Sequence, residues 1–264
     1  MSHASSEAAS PQATQINCQS DASQAAPHPM IDRYYANNDQ KRTFLETIFN
    51  DTAVDYDRVE RWLSLGSGAW YRRQALRRAG LKDGMVVVDV ATGTGLVARE
   101  ALGLVGSTGS VTGIDPSAEM MAQSDLAIAK HVARAEALPA IDAFADFVSM
   151  GYALRHLDDL VVAFKEFHRV LKPGGTACIL EITRPRSWLG RQCMRAYLST
   201  LSATVGLFTR LSPRTPELWA YYWETIEKCV PPQRVLEALR NAGFTDARHA
   251  VTLGIFSEYV ATKK

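Results

Sequence analysis

The sequence has few cysteines and no long apolar run, which argues against several kinds of protein. Its 264 residues include 4 cysteines that are widely separated and form no Cys-x-x-Cys pair. They are Cys18, Cys178, Cys193 and Cys229. This spacing argues against a zinc site or a disulfide framework and favours reduced thiols in a cytosolic setting. Since no apolar run reaches about eighteen residues, the sequence also predicts no membrane-spanning helix.

An excess of charge of one sign is also missing. Lys and Arg number 29 and Asp and Glu number 28, which gives a net charge of +1. Domains that bind nucleic acid usually carry a clearly basic stripe, so the composition predicts no nucleic-acid partner. The apolar fraction of 47% and the charged fraction of 22% are ordinary for a soluble globular enzyme.

Residues 1–30 lack an apolar period and are rich in Ala, Ser, Gln and Pro. They have neither the basic start nor the apolar middle of a secretory signal, and they contain no Arg, which a transit peptide would carry. We therefore expect a disordered tail over residues 1–30 and a single domain over residues 31–264.

Within that domain, strands alternate with helices. Residues 31–84 show helical spacing of apolar positions and are expected to form a lid segment. Residues 85–183 form the predicted core, with strands at 85–90, 110–114, 144–150 and 176–182 and helices at 96–104 and 160–171. This alternation predicts an α/β fold of the Rossmann-like kind, a mostly parallel sheet with helices on both faces. Residues 227–264 add a closing helix and an antiparallel hairpin at the sheet edge.

Residues 184–226 are apolar and aromatic, and we expect substrate-covering helices there. Within them, residues 188–211 carry Arg191, Arg195 and Arg210 among Trp, Leu and Phe. Three interpretations stay open for this stretch. It could cover a substrate, lie in the surface of an anionic membrane, or be a buried helix whose arginines extend to solvent.

The first strand runs directly into a glycine-rich loop that opens a helix. The loop is Ala91-Thr92-Gly93-Thr94-Gly95, preceded on the strand by Asp89. Glycine lets the backbone approach a ligand closely, and a helix start offers free N–H groups. Asp115 ends the next strand, where a carboxylate can accept both hydroxyls of a ribose. The pattern indicates an adenosine-bearing cofactor, and its departure from Gly-x-Gly-x-x-Gly argues against a dinucleotide.

Four segments resemble class I S-adenosylmethionine (SAM) methyltransferases, in the same order along the chain. They are Asp89-Val-Ala-Thr-Gly-Thr-Gly, Gly113-Ile-Asp-Pro-Ser-Ala-Glu-Met, Ala135-Glu-Ala-Leu-Pro and Val170-Leu-Lys-Pro-Gly-Gly. A narrower resemblance is to the ubiquinone/menaquinone biosynthesis C-methyltransferases, through Phe49-Asn-Asp-Thr-Ala-Val-Asp-Tyr-Asp, Ser64-Leu-Gly and Tyr152-Ala-Leu-Arg-His. The Val-Ala-Thr-Gly-Thr-Gly and Gly-Tyr-Ala-Leu-Arg-His segments are most similar to a divergent branch, the rhodoquinone biosynthesis (RquA-type) proteins.

The resemblance implies SAM as the cofactor and a set of residues that bind it. They are Asp89, Ala91, Thr92, Gly93, Thr94, Gly95, Asp115, Pro116, Met120, Arg134, Ala135, Glu136, Met150 and Gly151. It further implies that the protein replaces a ring methoxy group of ubiquinone by an amino group, with SAM as amino donor and a divalent manganese ion. The substrate would be a lipid-tailed quinone, met in the cytoplasm or at the inner face of the membrane.

Other functions stay open beside this one. They are C-methylation of a quinone precursor, a non-catalytic SAM-binding role in a quinone biosynthesis assembly, and a dehydrogenase of similar fold. Departures from the family pattern fall on the expected site rather than on the core. Thr92-Gly-Thr-Gly-Leu96 stands for Gly-Gly-Thr-Gly-Asp, and His156 stands for Asn. Arg134 stands for a polar or acidic residue, and the His of Gly-x-His-x-x-Trp is lost. These departures favour a reaction other than simple methyl transfer.

Four residues are candidates for catalysis, each with a plainer alternative. Tyr152 could hydrogen-bond a quinone oxygen or be a packed aromatic. Arg155 could stabilise an oxyanion or pair with Asp158 or Asp159. His156 could be a general base or metal ligand, or cap a turn. Asp142 is a loop carboxylate of the kind manganese prefers, but no ligand spacing is diagnostic, so the metal ligands stay unassigned.

Overall fold

The structure is a computed structural model, which describes residues 25–64, 66–208 and 214–264. Residues 1–24 of the expected tail (residues 1–30) therefore lie outside the described residues. The helices are α1 Asn38–Leu63, α2 Gly68–Arg78, α3 Leu96–Val105, α4 Ala118–Ala122, α5 Leu160–Val170, α6 Trp188–Phe208, α7 Thr215–Lys228 and α8 Pro232–Asn241. The strands are β1 Val86–Val90, β2 Ser110–Asp115, β3 Ala129–Val132, β4 Ala145–Gly151, β5 Leu171–Ile182, β6 Thr245–Thr252 and β7 Phe256–Thr262.

The seven strands form one sheet in the order β3-β2-β1-β4-β5-β7-β6. β1 to β5 run parallel to one another, while β7 is antiparallel to both β5 and β6. The expected α/β Rossmann-like fold is thus confirmed, together with its closing antiparallel hairpin. Within that hairpin β6 forms the edge of the sheet, and β7 is paired on both sides.

The sequence patterns explain how the core elements form. β1 reads Val-Val-Val-Asp-Val, and its valines from 87 onward are almost fully buried, as expected for a parallel strand covered on both faces. Asp159 caps the start of α5, and its Oδ1 accepts the N–H groups of Val161 and Val162 at 2.8 and 2.9 Å. Such a cap satisfies helix donors that have no partner within the helix.

Three elements differ from the expected pattern. β5 begins at Leu171 rather than at the expected residue 176. β3 was not expected, because its Ala-Lys-His-Val sequence lies at the sheet edge with little burial and therefore shows no apolar alternation. α6 starts at Trp188 as expected and ends at Phe208, and the remainder of the predicted helix falls on residues 209–213, which are not described. Among the helices that the structure describes, none is long and apolar enough to cross a membrane.

The sheet order determines where a ligand can bind. β1 lies between β2 and β4, so the chain leaves β1 toward one half of the sheet and later returns to fill the other half. At such a point, the loops after neighbouring strands separate and leave a crevice at the carboxyl ends of the strands. α1 packs on α4 and α7 packs on α6 at this side of the sheet.

Candidate active site

A cleft of about 1170 Å³ opens at the carboxyl ends of β1, β2 and β4. Most residues that the sequence predicted for cofactor binding and catalysis line it together. They are Ala91, Thr92, Gly93, Thr94, Asp115, Pro116, Met120, Arg134, Ala135, Glu136, Gly151, Tyr152 and His156. Their convergence from six separate segments makes this cleft the candidate active site.

The glycine-rich loop turns sharply at the floor of the cleft. Gly93 and Gly95 have φ of +53° and +88°, in the left-handed region that favours glycine. A Cβ at Gly95 would lie 2.7 Å from Ser124 Oγ and 2.9 Å from Leu126 Cδ1. Gly95 precedes the first residue of α3, so the turn delivers the chain to a helix start at the cleft. Such a start is suited to the polar end of a ligand.

Asp115 connects this loop to the end of β2. Its Oδ2 accepts the N–H of Gly93 at 2.8 Å, and its Oδ1 accepts the N–H of Ser117 at 2.8 Å. Burial raises the pKa of Asp115 to about 6, against these two hydrogen bonds, which favour the charged form. The carboxyl group is therefore held in place at the cleft wall, where a ribose could reach it.

Three predicted cofactor residues support the cleft from behind and do not line it. Asp89 is buried and accepts hydrogen bonds from Thr92 Oγ1 at 2.8 Å and Ser149 Oγ at 2.6 Å. Burial raises the pKa of Asp89 to about 6. Met150 belongs to the buried core, and Gly95 shapes the turn. The position of the loop depends on these residues, whether or not any of them touches a ligand.

Helix α1 closes the cleft through three side-chain contacts with different loops. Asp57 Oδ1 accepts from Thr94 Oγ1 at 2.5 Å, in the glycine-rich loop. Ser117 Oγ donates to Asn50 Oδ1 at 2.6 Å. Near the other end of the cleft, Arg42 Nε donates to Asp158 Oδ2 at 2.7 Å. α1 therefore lies closed over the site, as a lid would.

His156 is the most distinctive polar group in the cleft. It lies in a short 3₁₀ turn, and its Nδ1 is 3.4 Å from the Tyr221 hydroxyl of α7. Its Nε2 is buried and has no hydrogen-bond partner among the described residues. Burial, followed by the positive charges of Arg155 and Lys41, lowers the pKa of His156 well below its usual range. At neutral pH the ring is therefore uncharged and a weak base, and its Nε2 can form a hydrogen bond with a bound ligand.

Tyr152 lines the same cleft as His156 and has a strained backbone conformation. Its φ of +61° is unusual for a residue with a side chain, and its N–H donates to the Leu180 carbonyl oxygen at 2.7 Å. Burial raises the pKa of the Tyr152 hydroxyl above its ordinary value. The phenol therefore stays protonated and can donate a hydrogen bond to a ring oxygen.

The other two catalytic candidates are placed elsewhere. Arg155 is fully buried, with its Nε 3.0 Å from Glu181 Oε1 and its Nη1 2.8 Å from Thr225 Oγ1. The alternative of a pair with Asp158 or Asp159 is therefore wrong. Asp142 lies on the surface with 78% of its side chain exposed, 2.8 Å from Arg169. Because it belongs to that surface ion pair, it is not brought to the cleft.

The implied manganese ion finds no matching set of ligands. Within the described ranges, no group of three or more His, Cys, Asp or Glu residues is close enough to hold a metal ion. Of the candidates, only His156 lines the cleft, and Asp142 is engaged by Arg169. We therefore assign no residue of this chain to manganese and derive no step through it.

The match with known families decides the class of this protein. The ubiE/COQ5 methyltransferase family matches residues 35–263, which include α1, the core and the closing hairpin. The chain belongs to the ubiE/COQ5 methyltransferase family. The predicted methyltransferase resemblance is thus confirmed, and family membership indicates SAM as the cofactor. The narrower resemblance to the RquA-type branch stays a prediction.

Individual relatives agree with this membership. The ubiquinone/menaquinone biosynthesis C-methyltransferase UbiE of Rubrivivax gelatinosus is 35% identical over 228 residues, which cover 83% of this chain and 86% of the relative. A 2-phytyl-1,4-naphtoquinone methyltransferase of a Nostoc species is 33% identical over 215 residues, or 78% and 92% of the two chains. Among solved structures, a SAM-dependent methyltransferase from Thermotoga maritima has a TM-score of 0.59 at 20% identity, covering 83% and 99%. The last likeness shows the fold alone.

Several residues that line the cleft were not predicted as site residues, although Phe49 begins a segment that carries the family resemblance. Arg42, Leu45, Glu46 and Phe49 of α1 line the cleft, and so does Tyr222 of α7. The α1 positions follow one helical face, since their numbers differ by three, one and three. That periodicity was visible in the sequence, but it could not show which face of the helix meets the cofactor loop.

Proposed function

We propose that this protein is a SAM-dependent transferase that modifies the ring of a lipid-tailed benzoquinone or its quinol. One observation carries the proposal. The cleft built around the glycine-rich loop and Asp115 ends at a neutral, aromatic wall formed by Phe49, Tyr152 and His156. An uncharged ring fits such a wall, and the relatives named above act in quinone biosynthesis.

The residues of the cleft suit SAM in one orientation. Asp115 would accept the ribose hydroxyls, and Met120 with Arg134-Ala135-Glu136 would flank the adenine. The loop from Thr92 to Gly95 would then face the methionine end. Bound there, SAM supplies both an electrophilic methyl group on its sulfonium and an amino group. Which of the two is transferred defines two candidate reactions.

The first candidate is C-methylation of a quinol ring, and the relatives support it. The ring must come to the cofactor with a nucleophilic carbon, and proximity supplies much of the rate. Tyr152 would hold one ring oxygen by donating a hydrogen bond. His156 Nε2, which has no partner in the described chain, would take the proton that leaves the ring or its hydroxyl group.

The second candidate is replacement of a ring methoxy group by an amino group, which forms rhodoquinone from ubiquinone. The departures from the family pattern favour it, because Thr92, Leu96 and His156 all line the cleft. For SAM to donate its amino group, its N–Cα bond would break by elimination once the nitrogen is bonded to the ring, and the proton lost from Cβ would pass to that nitrogen. Before this step, the attacking nitrogen would lose a proton and methoxide would leave as methanol. A neutral imidazole such as His156 can carry that proton, while Tyr152 donates to the ring oxygen that gains charge.

One experiment separates the candidates. Purified protein is incubated with SAM labelled with nitrogen-15 at the amino group and carbon-13 at the methyl group, with and without manganese. A short-chain ubiquinone and a demethyl quinol are offered in parallel, and the products are analysed by mass spectrometry. Nitrogen-15 in a product without one methoxy group establishes amino transfer, and carbon-13 on the quinol ring establishes C-methylation. If neither label is transferred although SAM binds, the proposed transferase function is wrong and a non-catalytic role in an assembly gains support.

We also propose that the protein works at the cytoplasmic surface of a membrane. At the start of α6, Trp188 is 66% exposed and Leu189 is 65% exposed. Between residues 183 and 200 the sequence holds four arginines and neither Asp nor Glu. Exposed apolar side chains among basic residues are typical of helices that lie in an anionic interface, where a lipid-tailed substrate would be met.

A further inference from the structure

A second cavity of about 1140 Å³ adjoins the cofactor cleft. It lies between α1, α6, α7 and the turn of the closing hairpin. Tyr56, Tyr152 and Tyr222 line both spaces, and Tyr56 and Tyr222 lie close enough to shift each other's pKa. The three tyrosines therefore form the boundary between the cleft and this cavity.

The wall of the second cavity is mostly apolar. The apolar residues come from two helices and the hairpin. Leu218, Trp219 and Ile226 lie on α7, Met194 and Leu198 lie on α6, and Ile255 lies in the hairpin turn next to Phe256, the first residue of β7. These residues come from three separate elements and surround the space on several sides. A ligand that filled it would bury aliphatic surface, which is favourable in proportion to the area removed from water.

The charged groups at its edge already have partners. Arg155 is paired with Glu181 at 3.0 Å, and its guanidinium also lies over the Tyr222 ring at 5.2 Å. Glu60 is paired with Arg72 at 2.7 Å. A polar ligand would find few free groups to bond and would lose its own hydration. An aliphatic ligand would meet no such cost.

We propose that this cavity binds the isoprenoid tail of the substrate while the quinone ring lies at the boundary formed by Tyr56, Tyr152 and Tyr222. The inference rests on the proposed function, since it names the part of the substrate that the second space accepts. The cavity reaches the molecular surface beside α6, where Tyr197 lines it and is still 41% exposed. The same helix carries the exposed Trp188 and Leu189, so a tail can pass from a lipid surface toward the cofactor.

The test uses variants that fill the cavity from two different elements. Met194→Trp adds bulk from α6 and Ile255→Trp adds bulk from the hairpin turn, and both positions are only half-buried, which limits strain on the core. Ala220→Trp is the matched control, because Ala220 is exposed on α7 and lines neither space. Binding is measured by calorimetry with a dimethoxy-methyl benzoquinone without a tail and with the same ring carrying two isoprene units.

We expect the wild type and Ala220→Trp to bind the tailed quinone roughly tenfold or more tightly than the tail-less quinone. In both filling variants this preference should fall to about twofold or less. Equal affinities for the two quinones in the wild type, or a preference that survives both fillings, would overturn the tail site. If the preference behaves as expected but no quinone is turned over, the tail site stands and the proposed transferase function fails.

Discussion

The protonation state of Asp115 should control how tightly the protein binds SAM. Burial raises the pKa of its carboxyl group to about 6, and accepting ribose hydroxyls requires the ionised form. We therefore expect SAM affinity to be constant above pH 7 and to fall as the pH drops through about 6. Asp115→Asn should weaken SAM binding by about tenfold or more and flatten this pH dependence, as measured by calorimetry between pH 5 and 8.

The control for Asp115 is Asp125→Asn, a surface carboxyl paired with Arg99. It should bind SAM with the affinity and pH profile of the wild type. Asp89 has its pKa raised to about 6 as well, so the profile of the Asp115 variant also reports whether Asp89 contributes. An unchanged profile in Asp115→Asn would assign the pH effect to Asp89 and remove Asp115 from the ribose site.

His156 carries the proposed proton transfer. Burial keeps its ring neutral and makes it a weak base, and its Nε2 has no partner among the described residues. The ring can therefore take up a proton transiently during the reaction, whereas an amide cannot. His156→Asn should lower kcat by about a hundredfold, in whichever labelled reaction is found. Tyr221→Phe removes the group nearest Nδ1 and should have a smaller effect on kcat. A His156→Asn enzyme within about twofold of wild-type kcat would exclude the role.

Among individual residues, the sequence predicted well those site residues that are close together along the chain. The loop from Ala91 to Gly95 and Asp115 follow strand ends, and strand ends of a parallel sheet meet at one edge. Side chains whose partners lie far along the chain could not be placed. Arg155 has Asp158 and Asp159 nearby in sequence, yet its partner Glu181 lies on β5, a pairing that only the assembled sheet brings about.

Helix α6 is the element on which the proposed membrane contact depends. Four arginines lie in or just before it, at residues 184, 186, 191 and 195. Each basic residue near an anionic surface contributes about 1 kcal/mol to binding. Replacing all four by Gln should therefore lower binding to phosphatidylglycerol vesicles by roughly a hundredfold or more, as measured by co-sedimentation.

The control for the α6 variant replaces two arginines of α8, Arg234 and Arg240, by Gln. This variant should sediment with anionic vesicles as the wild type does. Binding of the wild type should also weaken as salt is added, because screening shortens the reach of surface charge. Equal binding to vesicles of neutral phosphatidylcholine, or no loss in the α6 variant, would contradict the proposed contact.

Element boundaries were predictable where burial imposes a period. β1, β2, β4 and α5 were found close to their observed bounds because they bury apolar positions at a regular spacing. β3 was missed for the opposite reason, since an exposed edge strand needs no apolar side chains and is held by backbone hydrogen bonds to β2. α1 was recognised as helical, but the sequence could not show contacts such as Asp57 with Thr94, which place the helix over the cleft.

For the whole molecule, Arg155 joins three parts that the sequence keeps apart. Its guanidinium connects the loop after β4 with Glu181 of β5 and Thr225 of α7. It thereby holds α7, which lines both cavities, against the sheet. A charge that is fully buried in this way is costly when its partner is removed, whereas removing both partners together relieves much of that cost.

We therefore expect Arg155→Met to lower the free energy of unfolding by about 3–5 kcal/mol, as measured by urea denaturation. Arg155→Met combined with Glu181→Leu should recover a large part of that loss. If Arg155 instead stabilised an oxyanion on the ring, the double variant would be as stable as expected yet still lack activity. If the double variant recovers both stability and turnover, Arg155 supports the site by holding α7 in place. If it recovers stability but not turnover, Arg155 acts on the reacting ring itself.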